Sequence, residues 1–255
     1  MFGILTWSPP ERGKRRRAVE MAERIVLHTR FACAYVQRGP HTPEAVVRRR
    51  VASAIRRLQK AGVRRVVLPE DFSYGAVLAH REMEPVDTQT LRRELAAEQV
   101  RRGLEDRGLP AGRVAVSADA MSAELVRTVT ELALRSRYVL LDVPYGGPEL
   151  AGRLRREYGV ALQLAPDRTQ LSEAAALVLF APRTDLRRDN PVVVEAYRGA
   201  EPPLPPLLLP PALEEQLPPD CCRIQLLAAL RESGALRPGQ ISLGRSGESG
   251  NGLGA

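Results

Sequence analysis

The sequence predicts an α/β protein: a doubly wound, mostly parallel sheet in its C-terminal half and a smaller α/β lobe before it. Three observations carry this. Short apolar runs at residues 113–118, 138–142, 160–164 and 176–180 follow one another at α/β spacing, as suits strands buried on both faces. Between the first two, Leu125, Val129 and Leu132 recur at steps of four and three, which places them on one helical stripe with Arg127, Thr130 and Glu131 elsewhere. After Gly146 and Gly147 a second helix starts with Pro148 in its first turn. It carries Leu150, Leu154 and Tyr158 one turn apart and stops at Gly159.

Taken from the N-terminus, residues 2–7 read as a first strand ended by Pro9 and Pro10, and the basic cluster containing Arg15, Arg16 and Arg17 follows. Residues 18–25 can be helical, and residues 26–36 are β-compatible. Thr42, Pro43 and Glu44 offer a hydroxyl cap, a first-position proline and an early acid for a helix. Its buried stripe would be Val47, Val51, Ile55 and Leu58, with Gly62 at its end; Arg48, Arg49, Arg50, Arg56 and Arg57 decorate the other faces. Residues 63–68 form a second clear strand, and Glu70 and Asp71 leave its carboxyl end, where open α/β sheets bind ligands. Asp87 or Thr88 then caps a helix with Leu91, Leu95, Val100 and Leu104 on one side, ended by Gly108 and Pro110.

Beyond the central stretch, residues 191–197 suggest a last strand at an edge, because Pro191 lacks an amide proton. Eight prolines between Pro202 and Pro219 imply an extended connector, a setting far commoner than a ligand for a proline-binding domain. Ile224, Leu227 and Leu230 mark a short helix that either packs back on the sheet or joins another copy, which leaves a homo-oligomer open. The expected divisions are thus a lobe at 1–112, the sheet half at 113–200, a connector at 201–220, a helix at 221–243 and a disordered Gly/Ser tail at 244–255.

Composition narrows the function classes. The net charge of +8 is lopsided: residues 1–66 hold 16 Lys/Arg against 4 Asp/Glu, and the remainder 22 against 26. Arg15, Arg16, Arg17, Arg48, Arg49 and Arg56 are therefore candidates for binding an anion or nucleic acid, although a solvated basic surface explains them as well and no aromatics are interleaved for base stacking. Three cysteines give no disulfide framework, and no apolar run reaches membrane length, so the expectation is a cytoplasmic protein without a membrane partner. The adjacent Cys221 and Cys222 lack the x-x spacing of a redox pair. His80, Glu82 and Glu84 match no metal spacing, and no metal is expected. Three scattered histidines support no nucleophilic triad, and no P-loop is present.

With these elements in place, residues 113–182, and "ELAGRLRREYGVAL" in particular, resemble a Rossmann-like dinucleotide-binding half. The resemblance implies a fold and the position of a cofactor edge, with NAD(P) as the ligand such an edge takes. At the first strand-to-helix turn, however, the family's G-x-G-x-x-G is replaced by Ser117-Ala-Asp119-Ala-Met-Ser122. Glycines there allow tight turning and close approach of backbone amides to a pyrophosphate. Asp119 would instead set a carboxylate beside that phosphate, a repulsion of roughly 4 kcal/mol at about 4 Å and an effective dielectric near 20. Asp119 reads better as a helix N-cap, with Ser122 the alternative.

Asp142 keeps the acidic position the family uses for ribose hydroxyls, 20 residues after Ser122; it is also an ordinary strand-ending residue before a turn containing Tyr145, Gly146 and Gly147. The candidate ligand edge is then Glu70, Asp71, Ser117, Asp119, Asp142, Tyr145, Gly146 and Gly147. The sequence favours a scaffold used for binding, regulation or assembly, with no cofactor. A nucleotide- or NAD(P)-dependent enzyme with an atypical phosphate loop stands as the alternative, and an anion binder using the Arg-rich face as the third reading.

Overall fold

A computed structural model of the chain describes residues 1–9, 18–200, 202–237 and 239–244. Two compact units result, one made of Met1–Thr88 with Leu209–Ile241 and one of Gln89–Leu208 with Ser242–Ala255. The boundary thus falls at residue 88 rather than 112, because the two helices after it bury Leu91, Val100 and Leu104 in the second unit.

The first unit opens with strand β1 (Phe2–Ser8), β2 (Val19–Val26) and β3 (Thr29–Gln37). The stretch 18–25 that could be helical is therefore taken by strand β2 from Val19 on: β2 and β3 form an antiparallel hairpin. Its turn residues Leu27 and His28 have φ of 45° and 67°, the paired left-handed values of a type I′ turn, whose right-handed twist suits the hairpin. Helix α1 (Glu44–Lys60) follows, burying Val47, Val51, Ala54, Ile55 and Leu58. Pro43 occupies its N-cap, and the Thr42 hydroxyl accepts instead from the Gly39 amide at 3.0 Å. Then come β4 (Arg65–Val67), the short α2 (Gly75–Ala79) and β5 (Glu84–Pro85). The sheet order is β2-β3-β1-β4-β5, parallel except for the β2 edge.

In the second unit the helix expected over residues 88–107 breaks at Leu95 into α3 (Gln89–Glu94) and α4 (Ala96–Asp106). Five strands follow with their crossovers: β6 (Val114–Ser117), α5 (Ala123–Arg135), β7 (Val139–Asp142), α6 (Gly147–Tyr158), β8 (Leu162–Leu164), α7 (Arg168–Ser172), β9 (Ala176–Leu179) and β10 (Val192–Glu195). All pair in parallel, in the order β10-β9-β6-β7-β8. Renumbered within the unit, this is the 3-2-1-4-5 order of a doubly wound sheet, with its topological switch point between β6 and β9. Val114, Val116, Val139, Leu141, Ala176 and Val178 face α4, α5 and α6, while Ala115, Leu140, Leu177 and Leu179 face α7 and Leu186. β10 stands at the edge, as Pro191 requires.

The Pro-rich stretch is not only a connector. Within it β11 (Leu207–Leu208) pairs with the later β12 (Ser242–Leu243), and α8 (Pro211–Glu214) follows. Helix α9 (Arg223–Glu232) returns to the first unit, where the Cys222 amide donates to the Leu68 carbonyl at 2.7 Å and the Gln225 side chain accepts from the Leu68 amide at 2.8 Å. Its run from Leu226 to Leu230 is buried in its own chain, so the apolar side that suggested a homo-oligomer is already covered. The expected Gly/Ser tail lies outside the described residues beyond Gly244.

Candidate functional site

Parallel register explains the chemistry at the carboxyl edge of the second unit's sheet. Ser117 and Asp142 are register partners at the carboxyl ends of β6 and β7, so both side chains emerge on the face opposite α5. The Ser117 hydroxyl donates to Asp142 Oδ2 at 2.9 Å. The loop leaving β9, beside β6 at the switch point, then delivers Arg183 onto both. Its Nη1 donates to the Ser117 oxygen at 2.7 Å and to the Asp142 carboxylate.

The remaining fork of the guanidinium grips Asp185 in two bonds, Nε to Oδ1 at 2.8 Å and Nη2 to Oδ2 at 3.0 Å. Arg168 adds a second cation to Asp185 at 3.3 Å. The hydrogen bonds from Arg183 hold the Asp185 carboxyl down to about 2. Asp185 and Asp142 in turn raise the Arg183 pKa beyond its already high value. Sequence reasoning missed Arg183, the residue that ties this edge together. Its signal was Arg183-Thr-Asp185 just past the fourth strand, legible only once that strand is placed beside the first.

The turn between β6 and α5 is likewise closed by the chain's own side chains. Ser122, not Asp119, caps α5, its hydroxyl accepting from the Leu125 amide at 3.1 Å; Asp119 is exposed three residues earlier, out of cap position. The Glu124 carboxyl is held below its usual range by its own backbone amide and, next, by the Ser122 hydroxyl. An internal carboxylate thus sits where the amides of a helix N-terminus draw anions. Across the turn, Met121 Cε lies 3.2 Å from where a Cβ on Gly146 would stand. Gly146 is needed for its left-handed φ of 80°, and Gly147 is buried at the start of α6. Tyr145 is 84% exposed.

At the carboxyl edge of the first unit, Asp71 meets Trp7 from 64 residues away, beside Phe72 and Tyr74 of its own loop. Trp7 Nε1 donates to Asp71 Oδ1 at 2.5 Å, and Arg38 pairs with the other oxygen. The Trp7 hydrogen bond, followed by Arg38, keeps the Asp71 carboxyl below its ordinary range. Arg38 also lies over the Trp7 ring, 4.9 Å from its centroid, while Phe72 stacks on Trp7 at 6.3 Å and Tyr74 meets both edge-on. Glu70, adjacent in sequence, is exposed.

Arg48, Arg49 and Arg56 are exposed on α1, whereas Arg50 and Arg57 reach the Gln37 and Val19 carbonyls. Arg15, Arg16 and Arg17 lie outside the described residues. Among the described residues no group of His, Cys, Asp or Glu is arranged to hold a metal ion, and no helix is long and apolar enough to cross a membrane. Of the cysteines, Cys33 and Cys221 are buried and Cys222 is half-buried. Burial raises the Cys33 pKa and lifts Cys221 to about 11, with Cys222 adding to the latter. A thiol reagent is accordingly expected to label Cys222 first in the native protein, and the other two only in denaturant. Prompt native labelling of Cys221, read by peptide mass, would contradict this.

No protein-family profile matches the chain, and comparison with curated proteins gives no match. Among solved structures it is similar to a probable ornithine cyclodeaminase from Bordetella pertussis Tohama I, at 22% identity over 38% of this chain and 31% of that one, with a TM-score of 0.28. D-lactate dehydrogenase with NAD+ from Lactobacillus jensenii is 13% identical over 59% and 56% of the two chains, with a TM-score of 0.29. L-tryptophan dehydrogenase from Nostoc punctiforme is 13% identical over 62% and 47%, with a TM-score of 0.31. The aligned parts span from under a third to just over half of those proteins. The second unit is a Rossmann-like α/β domain on the strength of its own strand order and register.

Proposed function

We propose that the protein is a non-catalytic binding or assembly protein in which a Rossmann-like scaffold has lost its dinucleotide site to its own side chains. The observation that carries this reading is Arg183. It spends its guanidinium on Asp142, the acid that would face a ribose, and on Ser117, the last residue of β6. At the neighbouring turn, Ser122 and Glu124 take the helix-terminal position that a pyrophosphate would need. Replacing these internal contacts by a cofactor would leave Arg183 and two carboxylates to find new partners, at a cost that a turn without the glycines needed for close amide approach cannot offset.

The test is a thermal-shift panel of NAD(H), NADP(H) and mononucleotides at low salt. A ligand at about one hundred times its Kd adds about 2.7 kcal/mol, or several degrees of Tm for a unit of this size. The expected result is no shift. A shift of that size with any dinucleotide would move the protein to the second reading, a nucleotide-dependent enzyme, which is favoured by the position of Asp142 at the end of β7.

A further inference from the structure

We propose that β2 is a self-complementary docking edge, through which two copies of this chain pair antiparallel about a two-fold axis passing Ala22, joining two five-stranded sheets into one. β2 is the outermost strand of its sheet and eight residues long. It carries no proline, and its residues from Glu20 to Ile25 are exposed apart from half-buried Met21; the large apolar side chain of Ile25 is 71% exposed. An edge of this length normally carries some device against pairing, such as a bulge, a proline or charged side chains that repel a second strand. The charges here are of both signs, Glu20 and Arg24 on one face, and neither forms an ion pair among the described residues.

Backbone phase limits how such an edge can pair. The Gln37 amide donates to the Ala18 carbonyl at 3.1 Å, and Ala18 continues the register in which Val19 lies opposite Val36. Residues 18, 20, 22, 24 and 26 therefore turn their amides and carbonyls toward β3, while Val19, Met21, Glu23 and Ile25 turn theirs outward. Arg57, which reaches over the edge to the Val19 carbonyl at 2.9 Å, fits this phase. Met21, Glu23 and Ile25 are left with outward groups for a new strand.

Only registers that place outward residues opposite outward residues can form a ladder. An axis through Glu23 sets that carboxylate against its own copy, and an axis through Met21 sets Glu20 against Ala22 and pairs no charges. The axis through Ala22 lets Met21 and Glu23 of one copy exchange both backbone hydrogen bonds with Glu23 and Met21 of the other. It also puts Glu20 directly opposite Arg24 of the second copy, once on each side of the axis, at non-hydrogen-bonded positions where side chains lie closest. On the opposite face Ile25 meets Val19 of the second copy. Charge complementarity thus selects one register and one occupant, a second copy of the chain.

The experiment is sedimentation velocity on the full chain over a wide concentration range, with E20R, R24E and their equimolar mixture. Wild type is expected to dimerise with concentration. Each single variant sets like charges opposite on both sides of the axis and should weaken the dimer by roughly 10- to 100-fold. Mixing E20R with R24E makes both cross-strand pairs attractive again and should restore a heterodimer. Glu23→Pro removes an outward amide that makes no bond to β3; with unchanged far-UV circular dichroism it should be monomeric. A wild type that stays monomeric throughout, a dimer indifferent to both reversals, or a mixture that fails to associate would each overturn the proposal. None of these readouts depends on what the edge of the second unit binds.

Discussion

Arg183→Glu is expected to lower the stability of the second unit by about 3 kcal/mol, roughly 10–15 °C in Tm for a unit of this size. The side chains of Arg183 and Asp142 are only 25% and 29% exposed, so their pairing lies between a screened surface contact and a fully buried one. Arg183→Met removes the charge and keeps much of the aliphatic volume. It leaves Asp142 with the Ser117 hydroxyl alone and should cost about 2 kcal/mol. The glutamate adds repulsion against Asp142 and Asp185, so its extra cost should shrink as pH falls toward about 4 and the introduced carboxyl protonates. Differential scanning calorimetry of both variants against pH measures this. Melting points equal to wild type would reduce the network to a surface contact and remove the main support for a closed cofactor edge. A dinucleotide shift gained only by Arg183→Met would instead identify the arginine as the plug.

The parallel strands of the second unit were legible because each is a short apolar run, and buried parallel strands have no polar face to blur the pattern. Helix α6 was legible from its punctuation: Gly146 and Gly159 both take the left-handed conformation at its ends. β2 was not, since its hairpin turns on Leu27 and His28, residues that rarely hold positive φ and so give no turn signal. Nor was the break at Leu95, where no glycine or proline interrupts the apolar stripe. The cap of α5 came down to two candidates, Asp119 and Ser122, and only the position of the first helical residue decides between them.

The candidate site followed the same division between local and non-local information. Ser117 and Asp142 could be placed at strand ends from spacing alone, and their mutual contact follows from parallel register. Arg183 could not, because its place depends on strand order, which spacing does not encode. The same holds for Asp71, whose Trp7 partner is 64 residues away in sequence.

Asn190→Asp, a near-isosteric change, is expected to be among the most damaging substitutions in the chain, at about 3–5 kcal/mol near neutral pH. Asn190 is 7% exposed, and its Nδ2 serves three carbonyls, those of Leu171 at 2.9 Å, Ser172 at 3.1 Å and Ala174 at 2.8 Å, while its Oδ1 is unpartnered. Those carbonyls end α7 and lead into β9, so the amide pins the start of the strand whose outgoing loop carries Arg183. A carboxylate in its place offers no donor and aims negative charge at three acceptors. Asn190→Ala also abandons the carbonyls but adds no charge, and should cost about 1–3 kcal/mol. The difference between the two has a definite pH signature. Burial among carbonyls raises the folded pKa of the introduced acid above its unfolded value of about 3.9, so folding favours the protonated form. The extra penalty is then absent below about pH 4 and grows as pH rises through the folded pKa. Chemical denaturation of both variants between acid and neutral pH resolves it; a constant difference would mean that the introduced carboxyl escapes to solvent and that Asn190 does not lock the junction.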